Sequence, residues 1–197
     1  MRFVDFDRRV VFAAFDRGEI TSDAGVLLLR ERARQTNLFH HMAACFSDRR
    51  DPVRVRHELE DLLAQRVCAI ALGYKDINDH DHLRHDPALK LLASPPSRCA
   101  DDVAALASKS TLNRLEQNWE TVDRRYHAFT PNLKKLSDLF VQLFFKSRDQ
   151  PPEQITLDID ATDIEGHGHQ ENSFFHGYYE HRCFLPLYTG HYRVIRR

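Results

Sequence analysis

The stretch ITLDIDATD, residues 155–163, runs β-branched and leucine side chains directly into carboxylates. Side chains alternate faces along a strand, so Ile155, Leu157 and Ile159 share one face while Thr156, Asp158 and Asp160 share the other. At about 3.3 Å rise per residue, the two carboxylates stand about 7 Å apart at the carboxyl end of the strand. That arrangement suits a hard divalent cation. Mg²⁺ takes one or two carboxylates and keeps positions for phosphate oxygens, and a pair of such ions can clamp both oxygens of a phosphodiester exchange. An edge strand with a polar solvent face explains the same spacing. Against that reading, aspartates are poor strand formers, and local rules tend to be broken at functional sites.

The surrounding residues offer competing chemistry. His167 and His169, two apart in GHGHQ, could join Asp160 in a His/Asp metal-dependent phosphoesterase, although the glycines favour a plain turn. NDHDHLRHDP holds His80, His82 and His85, but no cysteine lies near to complete a zinc site, so a surface or helix-capping role is expected. Thr162 is expected to fix the strand end or reach a water, with Asp163 and Glu165 as solvated loop charges. Phe174, Phe175, Tyr178 and Tyr179 could stack on exposed bases, yet such a run more often packs a core. Ser110, Thr111, Asn113 and Arg114 crowd one predicted helix start, where phosphates bind well. Arg124, Arg125, Lys134 and Lys135 add backbone-contact candidates on neighbouring helices, or form ordinary solvated faces.

Mostly helical elements must position these residues. Thr21, Ser22 and Asp23 are N-cap candidates for a helix over 23–35. Val55, Leu59, Leu62, Leu63, Val67 and Ile70 keep helical spacing up to a stop at Gly73. Pro87 fits the first turn of a short helix. Ser108 or Ser110 would cap a helix carrying Leu112, Leu115 and Trp119, and Pro131 would open one carrying Leu133, Leu136, Phe140, Leu143 and Phe144. The loop PPSRCADD separates two of these helices. Strand signals are confined to Phe3–Phe15, QITLDID and CFLPLYTGHYRVI. The expected class is α+β, with a helical region over 1–150 and strands over 151–197.

Charge excludes little: 28 Lys and Arg nearly cancel 29 Asp and Glu, so no global basic field marks a nucleic-acid partner. Cys45, Cys68, Cys99 and Cys183 are scattered without a CxxC, which points to reduced thiols in a cytoplasmic protein. No signal-peptide pattern or membrane span is visible, so no membrane partner is expected.

Four stretches together carry a family resemblance: ITSDAGVLLLRE (20–31), HELEDLLAQRVCAIALGYKDINDHDHLRHDPALK (57–90), LASKSTLNRLE (106–116) and LDIDATDIEGHGHQENSFFHGYYEHRCFLPLY (157–188). The chain resembles the IS-thirteen-eighty family of bacterial insertion-sequence transposases, members of the DDE group. The resemblance implies a ribonuclease-H-like catalytic domain behind a helical DNA-binding region. It implies a Mg²⁺ cofactor, with Mn²⁺ as an alternative ion, acting on double-stranded element ends and target DNA in a homo-oligomer associated with the bacterial nucleoid. Its Asp-x-Thr pattern falls on Asp160 as the first catalytic Asp, with Asp158 as the alternative ligand.

Members of that family continue through a second Asp and a distal Glu. Here the resemblance is expected to fade after CFLPLY, with TGHYRVIRR as an unrelated tail. The corresponding expectation is a shortened transposase that does not complete strand transfer alone. A non-enzymatic fragment that binds DNA or inhibits a full-length transposase is the alternative.

Overall fold

A computed structural model describes residues 2–6, 9–12, 20–92, 105–116, 128–148, 150, 155–166, 168, 170 and 172–192; for 2–6, 9–12, 156–158 and 188–192 it describes backbone alone. Trp119, Arg124, Arg125, His167, His169 and the PPSRCADD loop lie outside the described residues. The chain divides into two compact units, Met1–Ser147 and Arg148–Arg197. Helices mixed with small antiparallel sheets make it an α+β protein.

In the first unit, β1 (Arg2–Phe6) and β2 (Arg9–Phe12) pair antiparallel, as the Val- and Phe-rich sequence predicts. Helix α1 (Val26–Thr36) starts later than the sequence suggests, because its three cap candidates are used otherwise. The Asp23 carboxylate is buried and accepts the Tyr74 hydroxyl at 3.0 and 3.1 Å, and the Thr21 hydroxyl accepts the Asp23 N–H at 2.9 Å. A long-range partner therefore outcompetes the local cap. After α2 (Leu38–Ala43) comes β3 (Phe46–Asp48), which the polar SDRRDP text concealed.

Helix α3 (Leu59–Ala71) is the centre of this unit. Leu59, Leu62 and Leu63 enter one apolar cluster with Ala107, Leu112 and Phe129, while Cys68 and Ala69 enter a second with Val26, Leu83 and Leu89. Burial on several faces explains why a polar Gln65 and Arg66 also lie inside. Val55 precedes the helix and Ile70 is exposed, so the apolar spacing overreached at both ends. The stop at Gly73 holds: its φ of +103° is accessible to glycine at little cost, and Tyr74 N–H returns to Ala69 O at 2.9 Å.

The short helices α4 (His80–Leu83) and α5 (Pro87–Lys90) follow, the second with Pro87 in its first turn and the Asp86 carboxylate accepting two backbone N–H groups. Helix α6 (Lys109–Glu116) buries Leu112 completely. Pro131 ends β4 (Phe129–Pro131), which pairs with β3, rather than opening the next helix. Asn132 caps α7 (Leu133–Lys146) by accepting Lys135 N–H at 3.0 Å. The buried residue of α7 is Leu139, one position from the expected Phe140, which is exposed.

The second unit contains two small sheets. Strand β5 (Thr156–Ala161) pairs antiparallel with β9 (Leu187–Tyr192). Between them in sequence, β6 (Ile164–Glu165), β7 (Phe174–His176) and β8 (His181–Phe184) form a sheet in the order β6-β8-β7. The TGHY residues are therefore not an unrelated tail: Thr189–Tyr192 complete the ladder opposite Thr156–Ile159. Among the described residues, no helix is long and apolar enough to cross a membrane.

Candidate catalytic strand and nucleic-acid interface

Strand β5 forms where the sequence puts it because Ile and Thr suit a pleated backbone and β9 offers a continuous ladder. Asp158 stands opposite Gly190 and Asp160 opposite Tyr188, so the two aspartates occupy alternate rungs on one face. The Asp160 side chain is exposed. So are Ile155 and Ile159 on the other face, at 43% and 62%. Beyond Ala161 the strand end is held by backbone: Thr162 N–H donates to Pro186 O at 3.1 Å, while the threonine side chain is exposed.

An exposed carboxylate at a strand end, with a second at the same-face position two residues back, offers oxygen donors that fit Mg²⁺ in chemical type. Among the described residues, however, Asp160 belongs to no group of three metal-ligating side chains.

Asp163 departs from the sequence reading. Rather than a solvated loop charge, it is a half-buried carboxylate whose Oδ2 bonds His181 Nε2 at 2.9 Å. Cys183 lies beside it with no exposure, and burial, then the Asp163 carboxylate, pushes its thiol pKa up. The signal was present in the sequence as His181-x-Cys183, two residues apart on one strand face, but its carboxylate partner comes from eighteen residues away. Glu165 is exposed, as expected.

The aromatic run does not pack a core. Phe174 is 44% exposed, Phe175 63%, Tyr178 85% and Tyr179 37%. Glu180 N–H closes the β7–β8 hairpin onto His176 O at 2.8 Å.

His80 is likewise neither a surface nor a capping residue. It is fully buried, and Gln65 Nε2 approaches its Nδ1 at 3.1 Å. Because that amide nitrogen also donates to Ala107 O while Oε1 accepts Ala107 N–H, the Gln65 orientation is determined and His80 Nδ1 is an acceptor. Burial first, then the Arg66 charge, lowers the His80 pKa. His82 and His85 are exposed and line an open cleft with Asp23, Tyr74, Asp79 and Asp86.

At the start of α6, Ser110, Asn113 and Arg114 are exposed and Thr111 is half-buried. The Ser108 and Ser110 hydroxyls lie 3.0 Å apart, and Lys109 pairs with Asp81 at 2.7 Å. Lys134 and Lys135 are exposed on the first turn of α7.

No curated protein and no solved structure matches the chain. The family model described as Transposase DDE domain, group 1, matches residues 3–191, which spans both units and reaches past the CFLPLY motif into β9. With that match covering nearly every residue, the chain belongs to the DDE-domain transposases of group 1.

Proposed function

We propose that the chain binds the double-stranded ends of an insertion sequence through its first unit and carries the first catalytic aspartate, Asp160, on β5. The observation that supports this is the exposed Asp160 at the end of a strand whose register sets Asp158 on the same face, in a chain of the DDE transposase family. In this reading β5 and β9 are the first antiparallel strands of a ribonuclease-H-like sheet. Asp160 and Asp158 are the residues that would hold Mg²⁺, or Mn²⁺ in its place, and the bound ion would supply activation of the oxygen that attacks the phosphodiester. The chain's own contribution is positional: the β9 ladder and the Thr162–Pro186 hydrogen bond hold the carboxylates at the strand end. Ser110, Thr111, Asn113 and Arg114 would meet phosphates at the start of α6, in a homo-oligomer assembled on nucleoid DNA.

In this reading the polypeptide by itself binds DNA without joining strands. The test is a mobility-shift titration on duplex DNA from the flanks of its own gene, at two salt concentrations, with nicking scored with and without Mg²⁺. Salt-sensitive binding without nicking is expected, weakened by Arg114→Glu and unchanged by Asp160→Asn. Nicking that disappears in Asp160→Asn would overturn the inactivity and retain the catalytic assignment. Absence of any DNA binding would overturn the reading of the first unit.

A further inference from the structure

The second unit holds another donor cluster, distinct in chemistry from the aspartates of β5. Asp163, His181 and Cys183 each bring one ligand atom to within 4.8 Å of the other two. The backbone sets this up. His181 and Cys183 are two apart on β8 and so share a face, and the pairing of Ile164 with Phe184 brings the residue before β6 alongside them. One Asp163 oxygen is used by His181, but Oδ1 is buried with no hydrogen-bond partner. Across the β7–β8 ladder, His176 faces His181, and its Nδ1 is also buried without a partner. Buried polar atoms are nearly always satisfied, so the unpaired Asp163 Oδ1 beside a buried thiol leaves room for a partner.

We propose that Asp163, His181 and Cys183 form a binding site for a borderline-soft divalent ion of the Zn²⁺ class, with the fourth position open to water. One sulfur, one imidazole nitrogen and one carboxylate oxygen form a donor set that Zn²⁺ accepts, whereas Mg²⁺ and Ca²⁺ select oxygen. Binding forms a metal–sulfur bond as the Cys183 thiol gives its proton to solvent; the His181 proton shared with Asp163 moves by way of solvent from Nε2 to Nδ1, and one metal–nitrogen and one metal–oxygen bond replace the His181–Asp163 hydrogen bond. The ion ties the start of β6 to β8. Among the described side chains of this unit, Cys183 is the one buried apolar residue, while Phe175 and Tyr178 face solvent, so a metal tie would add to what holds these strands. A unit of about fifty residues without a sizeable core ordinarily depends on metal, disulfide or a partner for its stability.

The test uses the full chain, stripped with a chelator and titrated with Zn²⁺ against a chromophoric competitor, then with Co²⁺. One equivalent of Zn²⁺ should bind. The Co²⁺ form should show thiolate-to-metal charge-transfer absorption that persists when Cys45, Cys68 and Cys99 are replaced by alanine. That absorption should vanish in Cys183→Ser, His181→Gln should weaken Zn²⁺ at least tenfold, and Asp160→Asn should change neither. Hydrogen exchange of residues 174–184 in the unmodified chain should slow on adding Zn²⁺, a readout that depends on no variant folding. Absence of that slowing, of the charge-transfer band in the Cys183-only chain, or of any loss in His181→Gln would overturn the site.

Discussion

Replacing Gln65 with leucine tests the account of how α6 is positioned. Gln65 is 1% exposed and makes three hydrogen bonds: Nε2 to Ala107 O at 3.0 Å, Ala107 N–H to Oε1 at 3.1 Å, and Nε2 to His80 Nδ1 at 3.1 Å. Leucine fills nearly the same volume but leaves the Ala107 N–H, the Ala107 carbonyl and His80 Nδ1 unpaired. Ala107 is 1% exposed and His80 0%, so water cannot substitute without opening the core. At about 1–3 kcal/mol per buried orphan, three orphans cost about 3–9 kcal/mol. The apolar atoms gained and partial relaxation of the Ala107 segment offset some of this, which leaves a net loss of about 3–5 kcal/mol. Against a typical domain stability of about 5–15 kcal/mol, that is a large fraction. Urea unfolding followed by circular dichroism is the assay; with m near 2 kcal/mol/M, the midpoint should fall by about 2 M. Because Ala107 leads directly into α6, DNA affinity should fall with it. A stability loss below about 1 kcal/mol would refute the account in which the Gln65 amide holds the segment leading into α6.

Arg66→Met should cost about 2–3 kcal/mol in the same assay, since Arg66 pairs with Glu116 and donates to Tyr74 O at 3.2 Å and Lys75 O at 2.8 Å, and a partly exposed Glu116 softens the penalty; unchanged stability would count against the ion pair as the tie between α3 and α6. Burial first, then Glu60 and Glu58, raises the Asp61 pKa from 3.8 to about 6. The folded state therefore binds more protons than the unfolded one between those values, and this group's contribution to stability falls as pH rises through that window. Asp61→Asn should flatten that slope and stabilise the chain by about 1 kcal/mol at neutral pH, and equal pH profiles for the two proteins would contradict it. Gly73→Ala should cost about 1–2 kcal/mol through its φ of +103° alone, because an added Cβ would touch nothing within 4 Å; a thermal melt identical to the parent's would remove glycine's role as the α3 stop.

Much of the local architecture was legible in the residues. The apolar spacing of α3, the Gly73 stop, Pro87 in a first turn and the β5 strand all follow from short-range rules, which act over one or two turns of chain. So did the placement of Asp158 and Asp160 on one face, since alternation along a strand needs no partner to define it. Tertiary contacts decided the rest. Asp23 reads as a helix cap until Tyr74, fifty-one residues away, takes its carboxylate. His80 reads as a surface histidine until Gln65 and the Ala107 segment enclose it. Asp163 reads as a loop charge until β8 pairs with β6 and sets His181 and Cys183 against it. In each case a polar side chain had an adequate local partner or water available, and the stronger alternative came from an element whose proximity no local pattern encodes.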